Sequence, residues 1–216
     1  MEILPSIQNM WVVKIGGSLL GSPELQHWLQ IIAMLGDGKV VIVPGGSVFA
    51  DAVRSAQQLS GIDDVAAHTL AVKAMDQFGL LLAAMHPSLA TASTELELAE
   101  RSWQHRGIVW LPSKMVLADE TIPKTWQVTS DSLSGWLANK LGAEQLVIVK
   151  SASLESYQSN ASFQELTDDN IVDASFTKFS EGKSYDVTLL NKADFKEFER
   201  ALQQKSLHKQ GLLLRS

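Results

Sequence analysis

Two glycine pairs, each at the end of an apolar run, are the features of this sequence that point most directly to chemistry. Trp11–Ile15 leads into Gly16–Ser18, with Lys14 near the end of the run, and Val40–Pro44 leads into Gly45–Ser47. Glycine can adopt positive φ and lets backbone N–H groups approach a ligand without a Cβ. Such N–H groups beside an ammonium group form a cradle for an anion, most often a phosphate. A single pair would also suit an ordinary turn, but its repetition predicts two phosphate-facing loops at one sheet edge.

A polar cluster, Thr129–Ser132, is the second group of residues that could do chemistry. Apolar residues at helical spacing follow it over 133–141, and Gly142 is typical of a helix end. The cluster therefore occupies the cap and first turn of a predicted helix. Capping requires only one hydroxyl or carboxylate, whereas several polar side chains together are typical of a cluster that projects into a cleft. We therefore predict a functional role for Asp131.

Short apolar runs alternate with helical patterns along the chain, and these elements must position the polar groups. The alternation predicts an α/β fold, a three-layer sandwich in which a central, mainly parallel sheet has helices on both faces. The longest helical segment, Asp63–Met85, is apolar on most sides, which indicates a position between layers or at a subunit interface. The predicted strands are Trp11–Ile15, Lys39–Val43, Ile108–Leu111, Gln145–Val149, Asp186–Leu190 and Gly211–Leu214. The other predicted helices are Pro23–Leu35, Ser47–Leu59, Asp131–Leu141 and Asp194–Gln203.

The composition is that of a globular protein and excludes several functional classes. The chain has 216 residues, of which 45% are hydrophobic and 19% charged, and a net charge of −6. It carries no basic stripe typical of nucleic-acid binding, so an anionic ligand must be bound by local lysines and backbone amides. The absence of cysteine excludes disulfides and thiolate metal sites. With no apolar run of bilayer length and no signal-peptide pattern, we expect a cytoplasmic protein without membrane or nucleic-acid partners.

Together these motifs resemble the amino acid kinase family, which includes acetylglutamate, glutamate, uridylate and isopentenyl phosphate kinases. The matching segments, in the family's order and approximate spacing, are Lys14–Ser18, Pro44–Gly46 and Thr129–Ser132 leading into Leu146–Val149. The resemblance implies a single kinase domain over 1–216. Its acceptor lobe would cover about residues 1–124 and its nucleotide lobe about residues 125–216. Members of the family often associate, so a homo-oligomer is also expected.

Two further regions are similar to one branch of the family, the short kinases of methanofuran biosynthesis. These regions are Ala67–Gly79, and Leu111–Lys114 taken together with Trp126–Ser132. The resemblance implies an ATP-dependent phosphotransferase that converts [5-(aminomethyl)furan-3-yl]methyl phosphate to its diphosphate. Two alternatives stay open. One is a kinase for another phosphorylated acceptor, such as isopentenyl phosphate, and the other is a nucleotide-binding or storage protein of the same fold without turnover.

The resemblance also implies roles for individual residues in phosphoryl transfer, which requires alignment and charge neutralisation. Lys14 would bridge the donor and acceptor phosphates, and Asp131 would orient lysine side chains, because a phosphate acceptor needs no strong base. Mg²⁺ would accompany ATP, bound mostly by phosphate oxygens and water, so no metal-ligand set is expected in the protein. Backbone and hydroxyl groups would contact the substrates: Gly16, Gly17 and Ser18 the nucleotide phosphates, and Gly45, Gly46 and Ser130 the acceptor.

The chain departs from the family after the predicted strand Gln145–Val149. Many members carry an acidic Asp-x-Asp-Gly turn there, whereas this chain reads Lys150–Leu154, with no acidic residue. The departure bears on the nucleotide contacts: Lys150 either reaches the ATP phosphates or is a solvated lysine at a strand end. The family's second transition-state lysine lies further along the chain, where Lys178 and Lys183 are the candidates.

His68 and Asp76 are eight residues apart on the longest predicted helix and therefore lie on similar faces. The resemblance makes both of them candidate substrate contacts, and the carboxylate of Asp76 would suit an aminomethyl cation. In the alternative interpretation, the two side chains form a buried polar pair and satisfy each other's hydrogen-bonding groups.

Overall fold

The structure is a computed structural model that describes residues 9–154, 156–157, 161–180, 184–205 and 212–214. Over these ranges, seven strands form one sheet and nine α-helices surround it. The strands are β1 Trp11–Ile15, β2 Val40–Pro44, β3 Leu89–Ala92, β4 Gly107–Trp110, β5 Gln145–Lys150, β6 Asp186–Asn191 and β7 Leu212–Leu214. The helices are α1 Pro23–Leu35, α2 Ser47–Ser60, α3 Asp64–Ala84, α4 Glu95–Trp103, α5 Ser113–Val116, α6 Ser130–Leu141, α7 Phe163–Asp168, α8 Phe176–Ser180 and α9 Phe195–Gln204.

The strand order is β3-β4-β2-β1-β5-β6-β7, and every neighbouring pair is parallel except β6 and β7. From β1 the chain moves first to one side of the sheet, through β2, β3 and β4, and later to the other side through β5 and β6. The crevice between the carboxyl ends of β1 and β5 is therefore a topological switch point, where open α/β sheets usually bind ligands. The strands that precede residue 124 form one half of the sheet, and those that follow it form the other half.

Side chains alternate between the two faces of the sheet, and each face has its own hydrophobic core. On β1, Val12 packs in a core that includes α3 and α6 residues, whereas Val13 packs in a core that includes α1 and α9 residues. Helices thus cover both faces, and the predicted three-layer α/β arrangement is confirmed. Lys14, two residues after Val12, lies on the α6 face at the carboxyl end of β1.

Helix α3 contributes to both cores, which explains its apolar composition. Val72 and Met75 pack in the core on the α6 face, whereas Phe78 and Leu82 pack in the core on the α1 face. A helix in contact with two cores needs apolar residues on more than one side, as the sequence pattern indicates. Three large apolar side chains of α3 are nevertheless exposed, namely Val65, Leu70 and Leu80.

The predicted elements agree with the structure to within about two residues at each end, but the sequence patterns miss several short ones. The edge strand β3 has four residues, two of them alanine, and α5, α7 and α8 have four to six residues each. Segments this short hardly reveal a period. Gly211, with which the last predicted strand begins, lies outside the described residues. None of the described helices is long and apolar enough to cross a membrane.

Candidate active site

The loops after β1 and β2 touch each other through their backbones at the carboxyl edge of the sheet. A Cβ added to Gly17 would lie 2.2 Å from the Cα of Ser47, and one added to Gly45 would lie 2.8 Å from the backbone nitrogen of Gly17. The N–H group of Gly45 also donates to the carbonyl oxygen of Ile15 at 2.8 Å. Glycine is therefore required at positions 17 and 45 because no side chain fits between the loops.

The paired glycines do not use positive φ, which corrects one part of the sequence interpretation. The φ angle is −71° at Gly16 and −82° at Gly46, and the positive value in this region, 52°, belongs to Ser47. The glycines provide space instead. A Cβ added to Gly16 would lie 3.1 Å from the Nζ of Lys14, so the ammonium group lies against the backbone of the first loop.

Lys14 and Lys150 contact the two oxygens of Asp131, and we call these three residues the lysine–aspartate cluster. The Nζ of Lys14 lies 3.0 Å from Oδ1 and the Nζ of Lys150 lies 2.7 Å from Oδ2, and all three side chains are at most 13% exposed. Lys150 donates a hydrogen bond to Asp131, whereas Oδ1 has no aligned donor among the described residues despite its distance to Lys14. An ammonium group has three N–H donors, so the ion pair with Asp131 leaves donors of Lys14 available to a ligand.

Contacts within the cluster shift the pKa values of Asp131 and Lys150 and so determine whether these two groups are charged. Burial raises the pKa of Asp131, but the ammonium groups of Lys14 and Lys150 outweigh burial, and the pKa falls to about 2. Burial and the charge of Lys14 lower the pKa of Lys150 to about 8, against the opposing effects of Asp131 and Asp173. At neutral pH the carboxyl group is therefore ionised and Lys150 is mostly protonated. Two cations on one anion leave a net positive charge that suits a phosphate.

Asp173, which the sequence interpretation missed, caps the first turn of α6. The N-cap residue is Thr129, and its side chain accepts no hydrogen bond from the helix. Instead, the Oδ2 of Asp173 accepts from the N–H groups of Thr129 and Ser132 at 3.0 and 2.9 Å. Because Asp173 is 44 residues from Thr129, no local spacing pattern indicates it. Because Asp173 provides the cap, the carboxylate of Asp131 does not cap the helix and contacts the lysines instead.

A cavity of about 370 Å³ opens beside the two glycine loops. His68 lines it from α3 and is 3% exposed, with its Nδ1 3.2 Å from the carbonyl oxygen of Thr125. Burial lowers the pKa of His68 and outweighs this hydrogen bond, so the ring is neutral at neutral pH. A neutral ring that donates from Nδ1 to a carbonyl has Nε2 as an acceptor. The predicted site residues that line this cavity are Gly17, Ser18, Gly45, Gly46, His68 and Ser130.

A second cavity of about 720 Å³ lies beside two residues of the cluster. Asp131, Lys150 and Asp173 line it, together with other residues of the segment 170–174 between α7 and α8. Of the lysine–aspartate cluster, Asp131 and Lys150 line only this second cavity, and Lys14 lines neither of the two. The residues that line both cavities are Arg54, Trp126 and Thr129.

The turn after β5, which differs from the family pattern, is attached to elements on both sides. The hydroxyl groups of Ser18 and Ser151 are 3.0 Å apart and hydrogen-bond, which joins the first glycine loop to this turn. The carbonyl oxygen of Ala152 accepts from the side-chain amide of Asn191 at 2.8 Å. These contacts fix the end of β5, and Lys150 points at Asp131 rather than into solvent.

Asp76 and Lys178 line neither of the two cavities. The carboxylate of Asp76 accepts hydrogen bonds from the N–H and hydroxyl groups of Ser113 at the start of α5. His68 bonds to Thr125 instead, so the alternative of a mutual pair between His68 and Asp76 is wrong. Lys178 is exposed on α8. Lys183, the other candidate for the second lysine, lies outside the described residues.

Comparison with known families decides the affiliation of the chain. A family profile described as the amino acid kinase family matches residues 9–153. The chain belongs to this family. The matched range of the amino acid kinase includes both glycine loops and all three residues of the lysine–aspartate cluster. A [5-(aminomethyl)furan-3-yl]methyl phosphate kinase from Methanocaldococcus jannaschii is 33% identical over 140 residues, and the match covers 64% of this chain and 64% of the relative. The matched region is thus somewhat less than two thirds of that relative's length.

Solved structures of other amino acid kinases have the same fold. A uridylate kinase from Archaeoglobus fulgidus superposes with a TM-score of 0.69 and 16% identity, covering 95% of this chain and 100% of that one. An isopentenyl phosphate kinase superposes with a TM-score of 0.60 and 12% identity, covering 95% and 99%. At these identities the likeness concerns the fold alone. It places this amino acid kinase in a fold whose members differ in their substrates.

Proposed function

We propose that the protein is an ATP-dependent kinase that phosphorylates [5-(aminomethyl)furan-3-yl]methyl phosphate to its diphosphate. One observation supports phosphoryl transfer above all others: two lysines contact one aspartate, and one of these lysines, Lys14, lies against the first glycine loop. The choice of acceptor is supported by the name of the Methanocaldococcus jannaschii relative. Membership of the family supports ATP as the donor.

In the proposed reaction, an oxygen of the acceptor phosphate forms a bond to the γ-phosphorus of ATP. The bond from that phosphorus to the oxygen bridging the β- and γ-phosphates breaks, and ADP leaves. Such a transfer needs in-line positioning and charge stabilisation more than a strong base. We place Lys14 on the transferred phosphoryl group, because its ammonium group lies against the first glycine loop and has N–H donors beyond the one that can face Asp131. Asp131, with a pKa of about 2, is too weak a base to take a proton and orients the lysines instead.

We assign the role of the second lysine to Lys150 in place of Lys178. Lys150 donates to Asp131 and lines the larger cavity, whereas Lys178 is exposed and lines neither cavity. In this proposal a side chain at the end of β5 performs a role that other family members give to a residue further along the chain. Its ammonium group would donate to the β- or γ-phosphate oxygens of the nucleotide.

The smaller cavity is the proposed acceptor site and the larger cavity the proposed nucleotide site. Backbone N–H groups of Gly16–Ser18, Gly46 and Ser47, with the hydroxyl group of Ser130, would donate to phosphate oxygens, whereas the N–H group of Gly45 is bound to Ile15. The Nε2 acceptor of His68 would accept a hydrogen bond from the ammonium group of the aminomethyl substituent. Val72, which also lines the cavity, suits contact with an apolar furan ring.

Mg²⁺, which the proposed use of ATP implies, would be bound mainly by the nucleotide phosphates. Within the described residues, no three His, Asp or Glu side chains are grouped so that they could bind a metal ion. Such a protein fits an ion that is coordinated by phosphate oxygens and water. When bound, Mg²⁺ would neutralise phosphate charge, and the lysine–aspartate cluster would add to that effect.

A homo-oligomer is a further part of the proposal. Val65, Leu70 and Leu80 expose apolar surface on α3, which would favour contact with a second copy. We expect a mass above that of the 23.6 kDa chain in size-exclusion chromatography with light scattering. A Leu70→Glu variant should shift that mass toward the monomer. A monomeric wild-type protein would contradict this part of the proposal alone.

The decisive experiment is a transfer assay with ATP, Mg²⁺ and a panel of acceptors. The panel contains [5-(aminomethyl)furan-3-yl]methyl phosphate, isopentenyl phosphate, UMP and acetylglutamate. ADP release measures turnover, and phosphorus NMR identifies the diphosphate product. We expect the aminomethylfuran phosphate to have the highest kcat/KM, and a Lys14→Met preparation to reveal any contaminating kinase.

Each other outcome of this assay rejects a stated part of the proposal. Preference for isopentenyl phosphate or UMP rejects the acceptor and retains the phosphate-acceptor kinase. Phosphorylation of acetylglutamate in preference to the phosphorylated acceptors rejects the phosphate acceptor itself. ATP binding without transfer to any acceptor, measured by calorimetry on the same preparation, rejects the enzyme and favours the non-catalytic alternative.

A further inference from the structure

We propose that Asp173 is a positioning residue for phosphoryl transfer, which fixes the first turn of α6 so that Asp131 contacts both lysines. This inference rests on the proposed function and extends it to a residue outside the glycine loops and the Thr129–Ser132 cluster. Asp173 belongs to the segment between α7 and α8, and it is 41 residues from Ser132 in the sequence.

The carboxylate of Asp173 accepts five hydrogen bonds, four of which join this segment to the start of α6. Its Oδ2 accepts from the N–H and hydroxyl groups of Thr129 at 3.0 and 2.7 Å and from the N–H group of Ser132 at 2.9 Å. Its Oδ1 accepts from the hydroxyl group of Ser132 and from the N–H group of Ser175, the latter at 3.1 Å. Asp131 lies between Thr129 and Ser132, so both flanks of the residue that orients the lysines are fixed by Asp173.

Asp173 also acts on the cluster through its charge. It lines the larger cavity together with Asp131 and Lys150. The charged groups that face Lys150 are Lys14 from β1, Asp131 from α6 and Asp173 from the α7–α8 segment. Asp173 raises the pKa of Lys150 against the effects of burial and Lys14. Removal of this charge would therefore release the proton of Lys150 at lower pH.

The test is an Asp173→Asn variant, which keeps the size of the side chain and removes its charge and part of its accepting capacity. We expect kcat to fall at least tenfold while the KM values for ATP and the acceptor change less than threefold. The alkaline limb of kcat/KM should move to lower pH. The matched control is Asp63→Asn, because Asp63 caps α3 by accepting from the N–H group of Ala66 at 2.8 Å and lines neither cavity. The control should lose stability and keep both the rate and the pH profile.

Three results would overturn the inference: kcat of Asp173→Asn within threefold of wild type, an alkaline limb at unchanged pH, or a control that behaves like the variant. If Asp173→Asn fails to fold, Ser132→Ala replaces it in the test, because it removes one donor to Asp173 and retains the charge. We expect a folded Ser132→Ala protein with kcat reduced several-fold, and unchanged kcat would reject the inference.

The same experiment separates this inference from the proposed function. Titration of Lys150 by NMR of lysine-labelled protein needs no acceptor, and we expect a lower midpoint in Asp173→Asn than in wild type. A wild-type protein inactive on every acceptor would reject the proposed function, and the titration would still report on Asp173. An active wild type with an unshifted Lys150 in the variant would reject the positioning role alone.

Discussion

Lys14 and Lys150 project from the same face of two neighbouring parallel strands and end 3.0 and 2.7 Å from the two oxygens of one carboxylate. The strand register pairs Lys14 with Ile148, so Lys150 lies two residues further along β5. Side chains two residues apart share a face of a sheet, which directs Lys150 toward α6 just as it does Lys14. Two buried ammonium groups repel each other, and Asp131 makes their closeness possible.

Substitution of Lys14 by Met should abolish most activity and leave the fold intact. Loss of one preorganised donor at developing charge costs about 3 kcal/mol, or roughly a hundredfold in rate. The control is Lys73→Met, because Lys73 is an exposed lysine on α3, and surface substitutions usually change stability by at most about 0.5 kcal/mol. Circular dichroism establishes folding, and kcat is then measured for both variants. A folded Lys14→Met protein within about threefold of the wild-type kcat, less than 1 kcal/mol, would reject this role.

Deprotonation of Lys150 should make kcat/KM fall at alkaline pH. Because burial and Lys14 lower the pKa of Lys150 to about 8, the ammonium group is lost as pH rises through this value, and kcat/KM should fall. Lys150→Arg retains a cation at all accessible pH values, so the limb near pH 8 should disappear. Lys150→Met should have low kcat/KM throughout, by roughly a hundredfold at neutral pH. The same limb in Lys150→Arg would assign the titration to another group.

Asp131 should stabilise the fold at neutral pH and cease to do so in acid. Its pKa is lowered from 3.8 to about 2 by the lysines, so in this range the unfolded chain binds the proton and the folded chain does not. The contribution is complete above about pH 4 and is lost as pH falls toward 2. The free energies of unfolding of wild type and Asp131→Asn, measured in urea, should therefore become equal as pH falls from about 4 toward 2.

The Asp131→Asn substitution should reduce turnover much more than it reduces stability. The cap of α6 comes from Asp173 and is retained in this variant. Without the Asp131 charge, Lys150 can release its proton and relieve the repulsion with Lys14, which limits the loss of stability. We expect kcat to fall roughly a hundredfold, measured beside the melting temperature. A loss of activity no larger than the lost folded fraction would give Asp131 a purely structural role.

Gly45→Ala should weaken acceptor binding and turnover, because the added methyl group would displace the neighbouring loop at Gly17. The new Cβ would lie 2.8 Å from the backbone nitrogen of Gly17, closer than side-chain carbons normally approach. The control is Gly61→Ala, where φ is +70° and no atom lies within 4 Å of the added Cβ; strain alone should cost roughly 1 kcal/mol. Both variants should melt earlier, but only Gly45→Ala should have a raised acceptor KM and a lower kcat. Equal kinetics in the two would contradict the close-approach argument.

His68 should discriminate between aminated and apolar acceptors. In His68→Phe the Nε2 acceptor is lost while an aromatic ring remains, so kcat/KM for the aminomethylfuran phosphate should fall at least tenfold. The kcat/KM for isopentenyl phosphate should fall less or rise, because His68→Phe removes from the cavity a polar group that this acceptor leaves unpaired. The ratio of the two kcat/KM values is the measurement. An unchanged ratio would show that His68 does not bind the amino group.

Long periodic elements could be predicted from the sequence and short ones could not. The pattern over α1 gives its bounds, Pro23–Leu35, as observed. Strand β3 is four residues with little alternation, and its position comes from pairing with β4. Helix α4 carries a signal that could have been used, since the side chain of Thr94 accepts from the N–H group of Glu97 and that of Glu97 accepts from Ser93. Thr94 and Glu97 have the spacing of a capping box, a pattern visible in sequence, although Glu97 bonds to Ser93 instead of to the N-cap residue.

Candidate site residues close to a strand end could be predicted from the sequence. Residues that reach the site only through the packing of a distant segment could not. Lys14 and Asp131 come together because a parallel sheet brings strand ends to one edge. Lys150 has a matching signal, its period-two relation to Ile148 on β5, which favours the cluster over solvent. Asp173 has none, because its contact with α6 depends on the packing of a segment 44 residues away. Asp76 has a different partner, Ser113, for the same reason.

The backbone contact between Gly17 and Gly45 has a consequence for engineering. Since neither loop can gain a side chain there without displacing the other, mutations in the loops would disturb catalysis together with binding. A change of acceptor preference should therefore be sought at positions on α3 that line the same cavity, such as Ala71 and Met75. Libraries confined to these positions would vary the shape of the proposed acceptor site while the glycine loops keep their geometry.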